Sequence, residues 1–305
     1  MHSTRWRRLA GTALTLAGLV AAGPAPAAPR LGAYTKVMLI VEENRTYGEI
    51  IESPDAPYVT ALARSHGTVA RMTANYPVRC PSLAAYILIT SGTTAGICDD
   101  QGPRHHPLAV PSIFAQLDAA HRPWRNYAED LPTPCAWRNS DDGIFLVRHT
   151  AVPYYTDLAR TCRIGQVELG TGTHGPLHDD LGAGRLPAFS LVTPNACHDM
   201  HGASTCPHGR VAAGDRWLKT WIPRILAGAD YQAGRLVVII TWDEGSATSN
   251  HIPTVILSPT TRGIVTHQPH DHCSTLRTMQ EILQLPPLGC ARSARTMTTD
   301  FTLVR

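Results

Sequence analysis

The chain has 305 residues, 43% of them hydrophobic, and a formal net charge of +3. That length buries a sizeable core, while so small a charge gives no case for nucleic-acid binding through bulk electrostatics. Eight cysteines in an exported chain read most simply as disulfides.

Residues 1–28 read as a secretory signal. Arg5, Arg7 and Arg8 form the basic start, Leu9 to Ala22 the apolar run, and Ala25-Pro-Ala27 a small-residue cleavage site. The run is too short and too rich in Ala and Gly to predict a membrane span. Cleavage removes three arginines and no acid, so residues 29–305 are formally neutral. They contain no repeat, long charge run or low-complexity linker, and are expected to form one extracytoplasmic domain.

Lys36-Val-Met-Leu-Ile-Val-Glu-Glu-Asn44 is an apolar strand emptying into Glu42, Glu43 and Asn44. A short amphipathic helix follows at Pro57 to Arg64. Leu83 to Gly92 is apolar on nearly every side and ends in glycine, as a buried helix does. Ser82 sits at its start, and this segment alone makes it a helix cap. The sharper alternative is a nucleophilic hydroxyl beside free N–H groups and a metal. Gly96 to His106 reads as loop, Val110 to Ala120 as a helix begun by Pro111-Ser112, and Pro123 to Asp130 as a strand with an acidic end. His149 lies beside an extended Val-Pro-Tyr-Tyr segment, and the glycine-rich stretch 165–184 has no clear assignment.

Leu186 to Asn195 is another apolar strand, and its exit loop carries Asp199 and His201, a carboxylate with the usual general acid. Gly214 to Leu226 predicts an amphipathic helix with Trp217, Leu218, Trp221 and Ile225 inward and Asp215 as its N-cap. Arg235 to Gly245 is the central strand, buried on both faces and ending in Asp243-Glu244. Open α/β sheets bind ligands beyond the carboxyl ends of their strands, so paired acids there suit a hard cation or acid/base work. Asn250 to Ser258 is a further strand, and His267, His270 and His272 lead into a helix at Ser274 to Leu283.

Sequence proximity suggests Cys197 with Cys206, Cys98 with Cys135 and Cys273 with Cys290, leaving Cys80 and Cys162. A cysteine-ligated zinc is the minor alternative, since no Cys-x-x-Cys occurs.

Several segments together resemble the phosphoesterase family of the alkaline phosphatase superfamily, in the order expected there, from about Tyr34 to the C-terminus. They are Val41-Glu-Glu-Asn-Arg-Thr46, Pro81-Ser82 with Tyr86 and Thr90-Ser-Gly92, Tyr127-Ala-Glu-Asp-Leu-Pro132, Thr193-Pro-Asn195 with His198-Asp-Met-His201, Gly214-Asp-Arg-Trp-Leu218, Thr241-Trp-Asp-Glu244 and Ile252-Pro-Thr254. The resemblance implies a three-layer α/β/α sandwich with a mostly parallel central sheet. It implies that Glu43, Asn44, Asp243 and Glu244 surround one divalent metal (Mg, Mn, Ca or Zn), and that Ser82 becomes phosphorylated. It also implies that Asp199 and His201 face the leaving group or phosphate oxygens, with His272 completing the site.

The sequence departs from the usual family pattern in carrying Cys80 for a histidine, Ala85 for an asparagine and Gly202 for an aspartate. The alternative role for Cys80 is half of a disulfide fixing the nucleophile loop. The implied activity is secreted, metal-dependent phosphomonoester hydrolysis of a phosphorylated small molecule or phospholipid headgroup, acid phosphatase-like. The alternatives are a phospholipase C-type phosphodiesterase and a degenerate member that binds headgroups with little turnover.

Overall fold

The computed structural model describes residues 34–303 apart from His208 and Ala247, so the expected signal segment lies outside the described residues. Runs of β-branched and aliphatic residues with no polar alternation must be covered on both faces, and they form the middle of a large sheet. Strands β1 (Lys36–Glu42), β2 (Gly67–Val69), β3 (Met72–Thr73), β4 (Trp124–Ala128), β5 (Gln166–Glu168), β6 (Phe189–Thr193), β7 (Leu236–Trp242), β8 (His251–Ile252), β9 (Thr254–Leu257), β10 (Ile264–Thr266) and β11 (His270–Asp271) follow in chain order.

Eight of these form one sheet in the order β10-β2-β9-β7-β1-β6-β4-β5, and β11-β3-β8 form a small second sheet. In the large sheet only β9 runs against the others. All seven residues of β7 are buried, as is β1 beyond Lys36. The proline that splits β8 from β9, Pro253, lacks the N–H that a continuous strand would need there.

Helices Pro57–Ser65, Pro176–Ala183 and Arg210–Ala227 pack in one layer, and Leu83–Ser91, Ile113–Ala119 and His272–Ile282 in another. The architecture is therefore the expected α/β/α sandwich around a mostly parallel sheet. Every residue of Leu83–Ser91 is buried, which is why its sequence has no polar face. Trp217, Leu218, Trp221 and Ile225 point inward as their spacing requires. The unassigned stretch 165–184 supplies β5 and the Pro176–Ala183 helix.

Two capping assignments change. Asp215 does not start a helix, because Arg210–Ala227 begins earlier, at Gly209. Its carboxylate instead accepts from Tyr58 N (3.1 Å) and Val59 N (2.8 Å), capping the Pro57–Ser65 helix across the layer. That helix has no capping side chain of its own at Ala56. Asp215→Ala should therefore strand two amide donors and destabilise the fold by about 1–3 kcal/mol. A lowered urea midpoint with unchanged m-value is the expected record; an unshifted midpoint would refute this bridging role.

The second change concerns Ser82, whose hydroxyl makes no cap hydrogen bond. Asp100 Oδ1 accepts from Leu83 N (3.1 Å) in its place, reaching in from the Gly96–His106 loop.

All eight cysteines are paired: Cys80–Cys98, Cys135–Cys162, Cys197–Cys206 and Cys273–Cys290. The expected Cys98–Cys135 bridge is wrong, because Cys98 lies against the start of the Ser82 helix and closes on Cys80. No thiolate remains for a cysteine-ligated zinc.

Candidate active site

Strands β1, β6 and β7 are adjacent and parallel, so their carboxyl ends and the loops leaving them come to one edge of the sheet. The main chain ties these exits together: Asp243 N donates to Glu42 O (2.9 Å) and Glu43 N to Asp199 O (2.7 Å). Glu43, Asp199 and Asp243, far apart in sequence, are thereby held side by side and fully buried.

Ser82 lies under the same edge, 4% exposed, and its Oγ donates to Glu43 Oε2 at 2.9 Å. Its hydroxyl also lies within reach of Asp243. Asn44 N donates to Asp243 Oδ1 (3.0 Å), and the Asn44 amide donates to Glu244 Oε1. Tyr76 Oη donates to Glu244 Oε2 (2.8 Å), so Glu244 has a partner on each oxygen.

The Cys197–Cys206 disulfide closes the loop that carries Asp199 and His201. Asp199 Oδ1 accepts from His201 N (2.8 Å). Met200, between them, packs onto Gly214 of the long helix, where a Cβ would meet the His198 carbonyl oxygen at 2.8 Å. Three of the four disulfides thus lie within two residues of Ser82, Asp199 or His272.

His272 is brought to the site from below. Its ring is fully buried and its Nε2 donates to the Asp243 carbonyl oxygen (2.5 Å), so it steadies the Asp243 turn and does not line the cleft. Burial lowers its pKa to about 4, which keeps it neutral.

Sequence reasoning missed His149. Buried, and stacked on Tyr86 at 5.4 Å, it stands 3.3 Å from both Glu43 Oε1 and Asp199 Oδ2. Its neighbour Arg148 pairs with Asp100 (3.1 Å). His149 sits on a short 3-10 turn, Val147–His149, whose three residues carry no periodicity to mark the position.

The electrostatics are those of acids crowded out of water. Burial pushes Glu43 well above the ordinary carboxylate range, with Asp243 and Asp199 adding to it. Asp243 is raised by burial and then by Glu244, and Asp199 is raised to about 7 by burial. Burial lowers His201, against the pull of Asp199. Glu43 Oε1, Asn44 Oδ1, Asp243 Oδ2, Asp199 Oδ2 and His201 Nδ1 are buried with no hydrogen-bond partner.

Orphaned oxygens at one point are expensive unless something else satisfies them, and a hard divalent cation would. Among the described residues no group of three or more His, Cys, Asp or Glu side chains forms a ready cage. The donors that fit are mixed, with the Asn44 amide oxygen among the carboxylates. Above them opens a cleft of about 450 Å³, lined by Asn44, Arg45, Pro81, His201, Arg210 and Glu244 among others.

Residues 49–286 match the model of the phosphoesterase family. The chain is 28% identical over 304 residues to the phosphatidylinositol-3-phosphatase of Mycobacterium tuberculosis, covering 96% of this chain and 93% of that protein. It is 25% identical over 227 residues to an acid phosphatase of Aspergillus fumigatus, covering 70% of this chain and 48% of that protein. The fold is similar to that of an alkaline phosphatase superfamily protein from Vibrio parahaemolyticus, with a TM-score of 0.59 at 13% identity over 90% of this chain and 73% of that one.

Proposed function

This chain belongs to the phosphoesterase family and is a hydrolase of phosphoric ester bonds, and we propose that it is an extracytoplasmic phosphomonoesterase acting through Ser82. The observation that carries this reading is the Ser82 hydroxyl, buried and hydrogen-bonded at 2.9 Å to Glu43 among orphaned acid oxygens. Four disulfides fit an extracytoplasmic setting, and among the described residues no helix is long and apolar enough to cross a membrane.

Glu43, Asn44, Asp243 and Glu244 would hold one divalent cation, which when bound would lower the pKa of a nearby hydroxyl and offset phosphate charge. Glu43 Oε2 takes the hydrogen bond of Ser82 Oγ. His201 borders the cleft and would protonate the leaving oxygen. Burial lowers its pKa, which makes it a readier donor and confines its charged form to acid. Asp199 fixes the His201 main chain, and His272 positions Asp243 through its carbonyl.

The fungal relative's name, acid phosphatase, agrees with a proton donor of that kind. The rate should fall as pH rises through the lowered His201 pKa, placing the optimum on the acid side of about 6.5. Purified protein is assayed for inorganic phosphate and for diacylglycerol released from phosphoinositide and phosphatidylcholine dispersions. Phosphate without diacylglycerol is the expected result; diacylglycerol release would make it a phospholipase C, and neither product would leave a headgroup-binding protein.

A further inference from the structure

Three arginines line the cleft that Pro81, the residue before Ser82, also borders: Arg45, Arg79 and Arg210. Among the described residues none of them is in an ion pair. Two of them are seated by the fold. Arg45 donates from Nη1 to Asn44 O and from Nη2 to Met200 O, at 2.8 Å each. Arg210 lies across Gly202, whose φ is +81° and where a Cβ would stand 2.6 Å from Arg210 Nε. The bare backbone of Gly202 is what lets this arginine reach the cleft.

Among the described residues no acid there makes a direct ion pair with them. Glu49 lines the same cleft, but its Oε2 accepts from Thr46 N (2.8 Å) and Thr46 Oγ1 (2.7 Å). Glu244 is engaged by Asn44 and Tyr76. Burial depresses the Arg45 pKa, the charge of Glu49 works against this, and the charge of Arg210 lowers it further.

The backbone offers little to a phosphate here, because the first-turn N–H groups of the Ser82 helix are already spent. Leu83 N goes to Asp100, Ala84 N to Pro81 O (3.1 Å) and Ala85 N to Ser82 O (2.9 Å). A cleft of about 450 Å³ also has room for more than the phosphate being cleaved. The three guanidinium groups outnumber the two acids of the cleft, Glu49 and Glu244, and guanidinium matches phosphate geometrically.

Resting on the reading of Ser82 as the phosphorylated residue, we propose that Arg45, Arg79 and Arg210 bind a second phosphate on the substrate. The preferred substrate is then a phosphomonoester whose alcohol part carries a further anionic phosphate. That group belongs either to a soluble polyol bisphosphate or to the phosphodiester of a phosphorylated lipid headgroup.

The test compares wild type with an Arg79→Gln/Arg210→Gln double variant, leaving Arg45 to hold its loop. The substrates are inositol 3-phosphate, inositol 1,3-bisphosphate and short-chain phosphatidylinositol 3-phosphate. Wild type should favour the two substrates that carry a second phosphate in kcat/KM, and the double variant should lose about tenfold of that preference, through KM. Equal losses with soluble and lipid substrates assign the arginines to the phosphate itself. A loss with the lipid alone identifies the headgroup as the source.

A preference unchanged in the double variant, or absent from wild type, overturns the proposal. If wild type turns over none of the three, the phosphatase reading fails on its own account. Calorimetry of the Ser82→Ala protein with the two inositol phosphates then decides the arginines separately. Tighter binding of the bisphosphate, lost when Arg79 and Arg210 are also replaced, supports them; equal binding refutes them.

Discussion

Ser82→Ala should reduce phosphate release by roughly 10³-fold or more while leaving the protein folded, since the variant removes the proposed attacking oxygen and little else. The fold is expected to survive because Ser82 does not cap its helix; Asp100 does, at 3.1 Å from Leu83 N. The hydroxyl's hydrogen bond to Glu43 Oε2 is worth about 1 kcal/mol, so the urea midpoint should barely move. Two measurements check this: steady-state phosphate release, and the mass of the protein quenched during turnover, where a phosphoryl adduct belongs on Ser82. A variant that keeps its rate removes Ser82 from the mechanism, whatever becomes of the fold.

Chelation should abolish activity, and a divalent ion should restore it together with several degrees of thermal stability. Glu43 and Asp243 are fully buried with raised pKa values, each raised further by neighbouring acids, and each has an oxygen without a hydrogen-bond partner. Protons compete with a cation for these groups, so the stabilisation by added metal should shrink as pH falls from 8 to 5. A raised pKa moves that competition up toward neutrality.

Asp243→Asn gives an opposite pair of effects. It removes one of the crowded charges yet keeps an oxygen for Asn44 N, so the chelated variant should melt higher than chelated wild type while activity and the metal-induced gain are lost. A chelated wild type that keeps both its rate and its melting temperature would leave the carboxylate cluster with no cation to hold.

Much of the site was legible in the chain, for a reason that lies in the strands. Val37 to Val41 and Leu236 to Ile240 are apolar without alternation, which marks strands covered on both faces, and such strands run parallel with their carboxyl ends together. Glu43, Asn44, Asp243 and Glu244 follow directly, so their meeting at one edge needed only the sheet.

Other residues gave no such sign. His149 reaches Glu43 and Asp199 from a 3-10 turn in a long connection, and Tyr76 reaches Glu244 from beside a two-residue strand. Local sequence alone makes Asp215 and Ser82 caps of the helices beside them, but each side chain is claimed by a group distant in sequence. Nearness in sequence pairs Cys98 with Cys135, whereas the packing of its loop on the Ser82 helix gives it to Cys80.

The order of residues by itself determined the layers, the buried strands and the acids at their ends, because burial of an apolar run is a local demand that any fold must meet. Tertiary structure alone decided which polar groups met: Asp100 and the Ser82 helix, Asp215 and the Pro57–Ser65 helix, His149 beside Glu43, and Arg210 over Gly202. A hydrogen bond or a charge contact is satisfied by whatever arrives within about 3 Å, and what arrives depends on how the layers close, not on distance along the chain.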